Sequence, residues 1–209
     1  VQTQLCGPTD SCFPAGTKIL LSDKNYKNIE DIKVGEYVIS YNEITKKNEV
    51  SEVLEMESPI RDHMCKIIFS DSSELNLTSE HPIYSKTGWK SINPEATIKE
   101  KAYMNFVEKL AVGDFILSSN LDYREVKSIT CWNQTIQTYN LKSVSKNRNF
   151  YANDILAHNK GPICTWTDWG NWSSCSGGQE TRSRSDGCGS SETQFRECGC
   201  TPNWQCGSW

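Results

Sequence analysis

No stretch of the 209-residue chain approaches the roughly 18 consecutive apolar residues that a membrane-spanning helix needs, and no signal peptide opens it. Basic charge is also short. Twenty-two Lys and Arg face 26 Asp and Glu, a net charge of −4, where a nucleic-acid binder carries the opposite balance. Neither a membrane span in this stretch nor nucleic acid as a partner is therefore expected. Apolar residues make up 36% of the chain, enough for a modest core and too much for a disordered tail. Cysteine is scarce over the first 159 residues, which hold only Cys6, Cys12, Cys65 and Cys131. The last 50 residues reverse that: Cys164, Cys175, Cys188, Cys198, Cys200 and Cys206 crowd beside five of the seven tryptophans, Trp166, Trp169, Trp172, Trp204 and Trp209. Such density reads as a disulfide scaffold outside the cytosol, so a secreted or cell-surface location is expected. Two compositions imply two domains, with Lys160-Gly161-Pro162 as a natural boundary.

Residues 12–159 read as mostly β. Short β-branched and aromatic runs at 17–21, 36–41, 64–69, 114–117, 125–130 and 136–144 are separated by Asn, Asp, Gly, Ser and Pro. Residues 93–106 are the exception: Asn93 suits an N-cap, Pro94 the first helical position, and Lys99, Glu100, Lys101 and Ala102 favour a short helix. The strongest structural signal is an internal repeat at an offset of 78 residues. Residues 29–42 lie over residues 107–120 with five of 14 positions identical and six more close exchanges. Each copy places a Val-Gly turn before an apolar strand. Two copies in one β unit imply a pseudo-two-fold fold, because a solenoid needs at least three. Residues 160–209 lack any periodicity that would supply a core. Their last ten residues partly restate Cys164-Thr-Trp-Thr-Asp-Trp, so the protein is expected to continue beyond Trp209 into a second repeat.

Cys12 opens the β-rich unit, His158-Asn159 closes it, and Thr78-Ser-Glu-His81-Pro82 lies between. An amide hydrolyses very slowly, so a chain that cuts itself needs an internal nucleophile at the scissile carbonyl. Cys12 is placed to attack the carbonyl of Ser11 through a five-membered transition state, giving a thioester; proximity of this kind is worth up to roughly 7–11 kcal/mol. His81 suits protonation of the departing Cys12 nitrogen. Thr78 suits orientation of the scissile amide and bonding to developing charge. At the other junction the Asn159 side-chain amide can attack its own backbone carbonyl, forming a succinimide and releasing Lys160, with His158 polarising that carbonyl.

With Cys12-Phe-Pro-Ala-Gly-Thr-Lys-Ile at the start, and Thr138-Tyr-Asn-Leu-Lys-Ser and Asn149-Phe-Tyr-Ala-Asn-Asp-Ile-Leu-Ala-His-Asn159 at the end, the unit resembles the Hint superfamily. That superfamily comprises inteins, bacterial intein-like domains and the hedgehog autoprocessing domain. The resemblance spans residues 12–159 and leaves residues 1–11 as a flanking segment. It implies an all-β, pseudo-two-fold, horseshoe-like fold with a short helix, the chain's own polypeptide as substrate, and no cofactor or metal. The unit's 148 residues leave no room for a homing-endonuclease insert. Departures narrow the branch. Splicing inteins carry Cys, Ser or Thr after the terminal Asn; Lys160 stands there, its ε-amine protonated near neutral pH. The pattern is similar to A-type bacterial intein-like domains, for which cleavage at either end is expected, and splicing if the freed α-amine of Lys160 (pKa about 8) attacks the thioester. Asn140 stands where inteins usually have Asp, and Arg148 where they often have His, which bears on how the two cleavages are coordinated.

Competing readings are blander. Cys12 alone would read as a buried or disulfide-bonded cysteine, and a conventional cysteine hydrolase or a degenerate spacer in an adhesive protein would use the same residues differently. The order and spacing of Cys12, Thr78, His81, His158 and Asn159 at the edges and middle of one unit favour self-cleavage. His63-Met64-Cys65 lacks further ligands at usable spacing and reads as strand rather than metal site. Cys65 and Cys131 are either a structural disulfide or buried thiols. Three glycosylation sequons, at Asn76, Asn133 and Asn171, are no more than an Asn-rich chain produces by chance. The segment from Trp166 to Arg184 is similar to thrombospondin type 1 repeats, in which tryptophans of one strand interleave with arginines of the next; this implies adhesion, or glycan and protein binding. Tryptophans spaced by three cannot share one face of a flat strand, so an irregular, twisted strand is expected. Cys6 is left over, available either to Cys12 as a redox lock or to Cys164.

Overall fold

In the computed structural model, which describes residues 11–100, 107–159, 167–185 and 191–198, both copies of the repeat adopt the same local structure. Gly35 and Gly113 hold matching left-handed φ values of 89° and 93°, a conformation open to glycine at no steric cost. Val34 and Val112 before them are each 62% exposed, while Val38 and Ile116 beyond them are fully buried. Gly35 N–H donates to the Val53 carbonyl and Gly113 N–H to that of Val126; Val53 and Val126 N–H return to Glu36 and Asp114, all at 2.8–2.9 Å. The carboxylates match as well. Glu36 accepts from Lys33 N–H at 2.9 Å and Asp114 from Ala111 N–H at 2.8 Å, and each also pairs with a lysine, Lys27 or Lys90. The sequence repeat is a structural duplication.

The chain divides into two compact units, residues 1–162 and 163–209. In the first, 14 strands join one branched sheet, with a single α-helix and one 3-10 turn among the described residues. This is the all-β, pseudo-two-fold architecture that the sequence implies. Its spine is the 22-residue strand Tyr123–Val144. That strand pairs antiparallel with Ile60–Phe69 along much of its length and with Lys47–Glu57 at its end, and it takes Phe13–Pro14 alongside Thr138 and Tyr139. The runs at 125–130 and 136–144, separate in the sequence reading, are one strand: a register shift between Asn133 and Ile136 absorbs the polar residues between them. The strand Lys47–Glu57 shows no alternation of apolar and polar residues to announce it, yet Ser51 and Val53 point inward while Val50, Glu52 and Leu54 beside them do not. Cys65 and Cys131 face each other across Ile60–Phe69 and Tyr123–Val144 and form a disulfide. Closing a sequence separation of 66 residues in this way is worth about 4 kcal/mol in the chain-entropy account. The helix runs Pro94–Glu100, with Asn93 Oδ1 accepting from Ala96 N–H at 3.2 Å as its cap.

Both edges of the described part of this unit are drawn into its core. Phe13 is fully buried beside Cys12 and contacts Phe150 edge-on at 6.0 Å. At the other end Asn149–Ala152 and Ile155–His158 form a hairpin whose eight strand residues are all buried. Its turn residues Asn153 and Asp154 both have positive φ, 46° and 64°, as a tight hairpin turn requires.

The second unit pairs Gln179–Ser185 antiparallel with Ser191–Glu197. Alongside runs a segment whose Thr167, Gly170 and Ser173 N–H groups donate to Ser185, Ser183 and Thr181 at 2.7–2.9 Å. Three residues thus advance for every two on the partner, about 2.2 Å each where an extended strand rises about 3.3 Å. This contraction lets tryptophans spaced by three face one way, as expected of an irregular strand. Glycine at 170 eases the close approach, since a Cβ there would lie 3.1 Å from the Ser183 carbonyl. Arg182 stacks between Trp169 and Trp172 at 5.0 and 4.7 Å, Arg184 on Trp169 at 4.6 Å and Arg196 on Trp172 at 4.2 Å. A Cys175–Cys198 disulfide ties the described end of this sheet. Trp166, Cys164, Cys188, Cys200, Cys206, Trp204, Trp209 and Cys6 lie outside the described residues.

The duplicated turns give a test of the packing. Ile116→Ala is expected to destabilise the chain by about 2–5 kcal/mol and Val112→Ala by no more than about 0.5 kcal/mol, read from urea midpoints under non-reducing conditions.

Candidate functional site

One turn, Thr78 to Pro82, touches both edges of the first unit. The strand Phe13–Pro14 sets Cys12 against it: Cys12 N–H donates to Thr78 Oγ1 at 3.0 Å, and Thr78 N–H returns to the Cys12 carbonyl at 3.0 Å. The turn closes through His81 N–H to the Thr78 carbonyl at 3.1 Å. His81 is buried, with its ring 4.1 Å from that of Phe13. At the other side of the turn, His158 N–H donates to the Pro82 carbonyl at 3.0 Å. The hairpin strand Ile155–His158 lies beside Ile83–Ser85, with Ala157 opposite Ile83, which brings the carboxyl edge of the unit to the turn that holds its amino edge.

Around Cys12 the surroundings are closed and charged. The thiol is free and fully buried. Burial, and next the charge of Glu57, push its pKa up to about 12, against weaker pulls towards the thiolate from Thr138 and Arg61. Arg61 is itself buried, and Thr138 Oγ1 donates to the Pro59 carbonyl at 2.7 Å. Asn140, fully buried, donates from Nδ2 to Glu57 Oε1 at 3.2 Å, while its Oδ1 has no hydrogen-bond partner among the described residues. Ser11, before the Cys12 amide, is fully buried as well, and its N–H and hydroxyl both donate to Glu100 Oε1 at 3.0 Å.

At the carboxyl edge, His158 Nδ1 lies 2.5 Å from the Asn159 carbonyl oxygen. The carbonyl can only accept, so Nδ1 carries the proton. The edge of the Trp89 indole meets the His158 ring at 4.8 Å, nearly perpendicular, and fixes its plane. Asn159 is fully buried. Oriented to satisfy both ends of its amide, its Nδ2 donates to the Arg148 carbonyl and its Oδ1 accepts from Val144 N–H, each at 2.9 Å. Its backbone N–H also reaches the Arg148 carbonyl at 2.9 Å. That carbonyl is aimed inward because Asn147 and Arg148 are both left-handed, φ 58° and 51°.

Cys12, Thr78 and His81 are therefore grouped at the amino edge of the unit, and His158 and Asn159 at its carboxyl edge. Thr78 meets Cys12 as a hydrogen-bond acceptor, through Oγ1 to the Cys12 backbone N–H. Arg148 meets Asn159 through its backbone carbonyl, a contact that any residue able to hold a left-handed φ supplies. Lys160 lies outside the described residues. Arg61, Glu57, Glu100 and Trp89 were not legible as site residues: each is a charged or aromatic side chain on an ordinary strand or helix, and only the register brings it to a junction. His63 is held between two carboxylates: Nε2 pairs with Glu80 at 2.8 Å and Nδ1 with Asp62 at 2.9 Å. Glu80 is 1% exposed in the middle of the central turn, and its hydrogen bond does most to raise the His63 pKa to about 9.

Residues 13–121 match the family model of the Ataxin-1 and HBP1 module (AXH). No curated protein matches the chain in sequence. Among solved structures, a bacterial intein-like domain from Clostridium thermocellum superposes with a TM-score of 0.59 and 25% identity, over 71% of this chain and 98% of its own. The DnaX mini-intein of Spirulina platensis is also 25% identical, with a TM-score of 0.54 over 72% of this chain and all of its own. A DnaB intein from Synechocystis is 19% identical and reaches 0.59 over 72% and 99%.

Two outcomes follow from the ionisation states. With a thiol pKa near 12, on the order of one Cys12 in 10⁵ is thiolate at pH 7, so iodoacetamide should label it at least about a hundredfold more slowly in the native chain than in urea; equal rates, read by intact mass, would contradict the buried neutral thiol. His63 has a folded pKa of about 9 against 6.5 unperturbed, so its pairing stabilises fully below pH 6.5 and is lost as the pH rises through 9. The thermal midpoint should therefore fall between pH 6.5 and 9, and a His63→Gln chain should be flatter over that window.

Proposed function

The chain belongs to the AXH family over residues 13–121, a match that stops short of both Cys12 and Asn159, and from the intein-like fold that closes on those two residues we propose autocatalytic processing of the chain itself. The carrying observation is that both junction amides are held from buried side chains of one domain: the Cys12 nitrogen by Thr78 at 3.0 Å, the Asn159 carbonyl by His158 at 2.5 Å. The intein-like structural relatives support self-processing in general; the individual steps below are our reading.

At the amino junction the Cys12 thiol attacks the Ser11 carbonyl carbon. A C–S bond forms, the C–N bond to Cys12 breaks, and the thiol proton ends on the freed Cys12 amine. The resting thiol is neutral, so that proton has to move, and His81, buried in the same turn, is the side chain we assign to carry it. Thr78 accepts from the nitrogen throughout, which orients the amide and favours its pyramidal, proton-bearing form. At the carboxyl junction Asn159 Nδ2 attacks its own carbonyl carbon, the bond to Lys160 breaks, and a proton passes to the Lys160 α-amine. His158 donates to the oxygen on which charge builds. The Arg148 carbonyl keeps the attacking nitrogen oriented while the ring closes to a succinimide. If the Lys160 amine reaches the Ser11 thioester before water does, residues 1–11 and 160–209 are joined by aminolysis.

We read the second unit as a thrombospondin type 1-like module that binds glycans or proteins, supported by its Trp–Arg interleaving, each contact worth about 0.5–2 kcal/mol. Its disulfides support a secreted or cell-surface setting.

Intact mass spectrometry over time tests the reaction. Cleavage at both junctions gives pieces of 11, 148 and 50 residues, and joining gives 148 and 61. Cys12→Ala should abolish the first cut and Asn159→Ala the second, while His158→Ala should slow the second about 10²–10³-fold. Full-length chain alone, with thiol added and disulfides reduced, would sink the proposal.

A further inference from the structure

We infer that Glu100 is a positioning residue that selects a hydroxyl-bearing residue at position 11, before the amino-terminal cut; the inference rests on the processing reading above. Ser11 is fully buried, and one carboxylate oxygen of Glu100 accepts from both its N–H and its hydroxyl at 3.0 Å. Two donors from one residue on one acceptor fix the backbone of Ser11 and its χ1 together. The carbonyl that the thiol attacks belongs to that residue, so its plane is set by the same contact.

The acceptor is itself held in place. Glu100 lies in the helix Pro94–Glu100, and that helix hangs from the central turn: Asn93 N–H donates to the Ser79 carbonyl at 2.8 Å and Thr97 Oγ1 to the Glu80 carbonyl at 2.7 Å. Thr97 is fully buried and also bonds Ser91 Oγ at 2.7 Å. Ser11 and Cys12 are thereby referenced to one element, Ser11 through the helix and Cys12 directly through Thr78. The electrophilic carbon and the nucleophilic sulfur are aligned by two arms of a single turn.

This arrangement discriminates by chemistry. Serine supplies both donors, and threonine keeps both. Alanine keeps the N–H alone and leaves a half-buried carboxylate oxygen one donor short. Leucine in addition places an apolar branch against the half-buried carboxylate. The order expected at position 11 is Ser and Thr, then Ala, then Leu.

The test is a double-substitution cycle in the full chain carrying Asn159→Ala, with the thiol-induced amino-terminal cut followed by intact mass and thermal unfolding followed in parallel. Ser11→Ala and Glu100→Ala should each slow the cut about tenfold, ~1.4 kcal/mol of barrier, and together no more than Glu100→Ala alone. Ser11→Thr and Glu100→Gln, which keep the donors and the acceptor, should stay within about threefold of the parent. Independent effects that multiply to about a hundredfold, or Glu100→Ala and Glu100→Gln both cutting at the parent rate, would overturn the positioning role. A Glu100→Ala chain with a collapsed thermal midpoint is judged by the Glu100→Gln and Ser11 series instead, where a tenfold loss in Ser11→Thr overturns it. A parent that never cuts with thiol overturns the processing reading, and this inference with it.

Discussion

The turn from Thr78 to Pro82 is the constraint on which the rest depends. Cys12 and His158 lie 146 positions apart, and one tight turn contacts both, Cys12 through Thr78 and His158 through the Pro82 carbonyl. It is held by the Thr78–His81 backbone bond, by the Asn93 and Thr97 contacts to its carbonyls, and by the buried Glu80 paired with His63. A carboxylate 1% exposed would be costly unpaired. The pairing makes the turn sensitive to the His63 charge, although His63 touches neither junction residue in any contact described above.

The resting state is a restrained one. Cys12 is buried and neutral, between Glu57, which opposes its ionisation, and Arg61 and Thr138, which favour it. A thiolate exposed to solvent would oxidise or pair with one of the many cysteines of this chain; a neutral buried thiol survives in a disulfide-forming environment. At the opposite junction the restraint is geometric: Asn159 has both ends of its side-chain amide engaged, by Arg148 and Val144.

The duplication was legible in sequence down to its turns, because Val34 and Val112, Gly35 and Gly113, and Glu36 and Asp114 perform the same tasks in both copies. The terminal Cys12 and His158-Asn159, and the Thr78-x-x-His81 spacing, were legible for the same reason, being tied to short local segments. What sequence did not carry was register. Lys47–Glu57 looks like a charged surface run, yet it places Glu57 opposite Asn140 and so beside Cys12. Arg61 and Glu100 belong to ordinary polar segments whose partners lie 49 and 89 residues away, and no local pattern encodes such a meeting. The reverse error also occurred: the polar break at Asn133-Gln134-Thr135 is only an irregularity within one long strand.

The three-against-two stepping of the second unit works like a vernier. Only where the two scales coincide, at Thr167, Gly170 and Ser173, does a backbone bond form, and the tryptophans ride on the same beat. Such a ladder cannot change length by single residues. An insertion of one residue on the tryptophan side would shift every later ring off its arginine, and only three there matched by two opposite would restore the stack. Length variation in this module is thus quantised, and its tolerance to insertion should concentrate outside the stepped region.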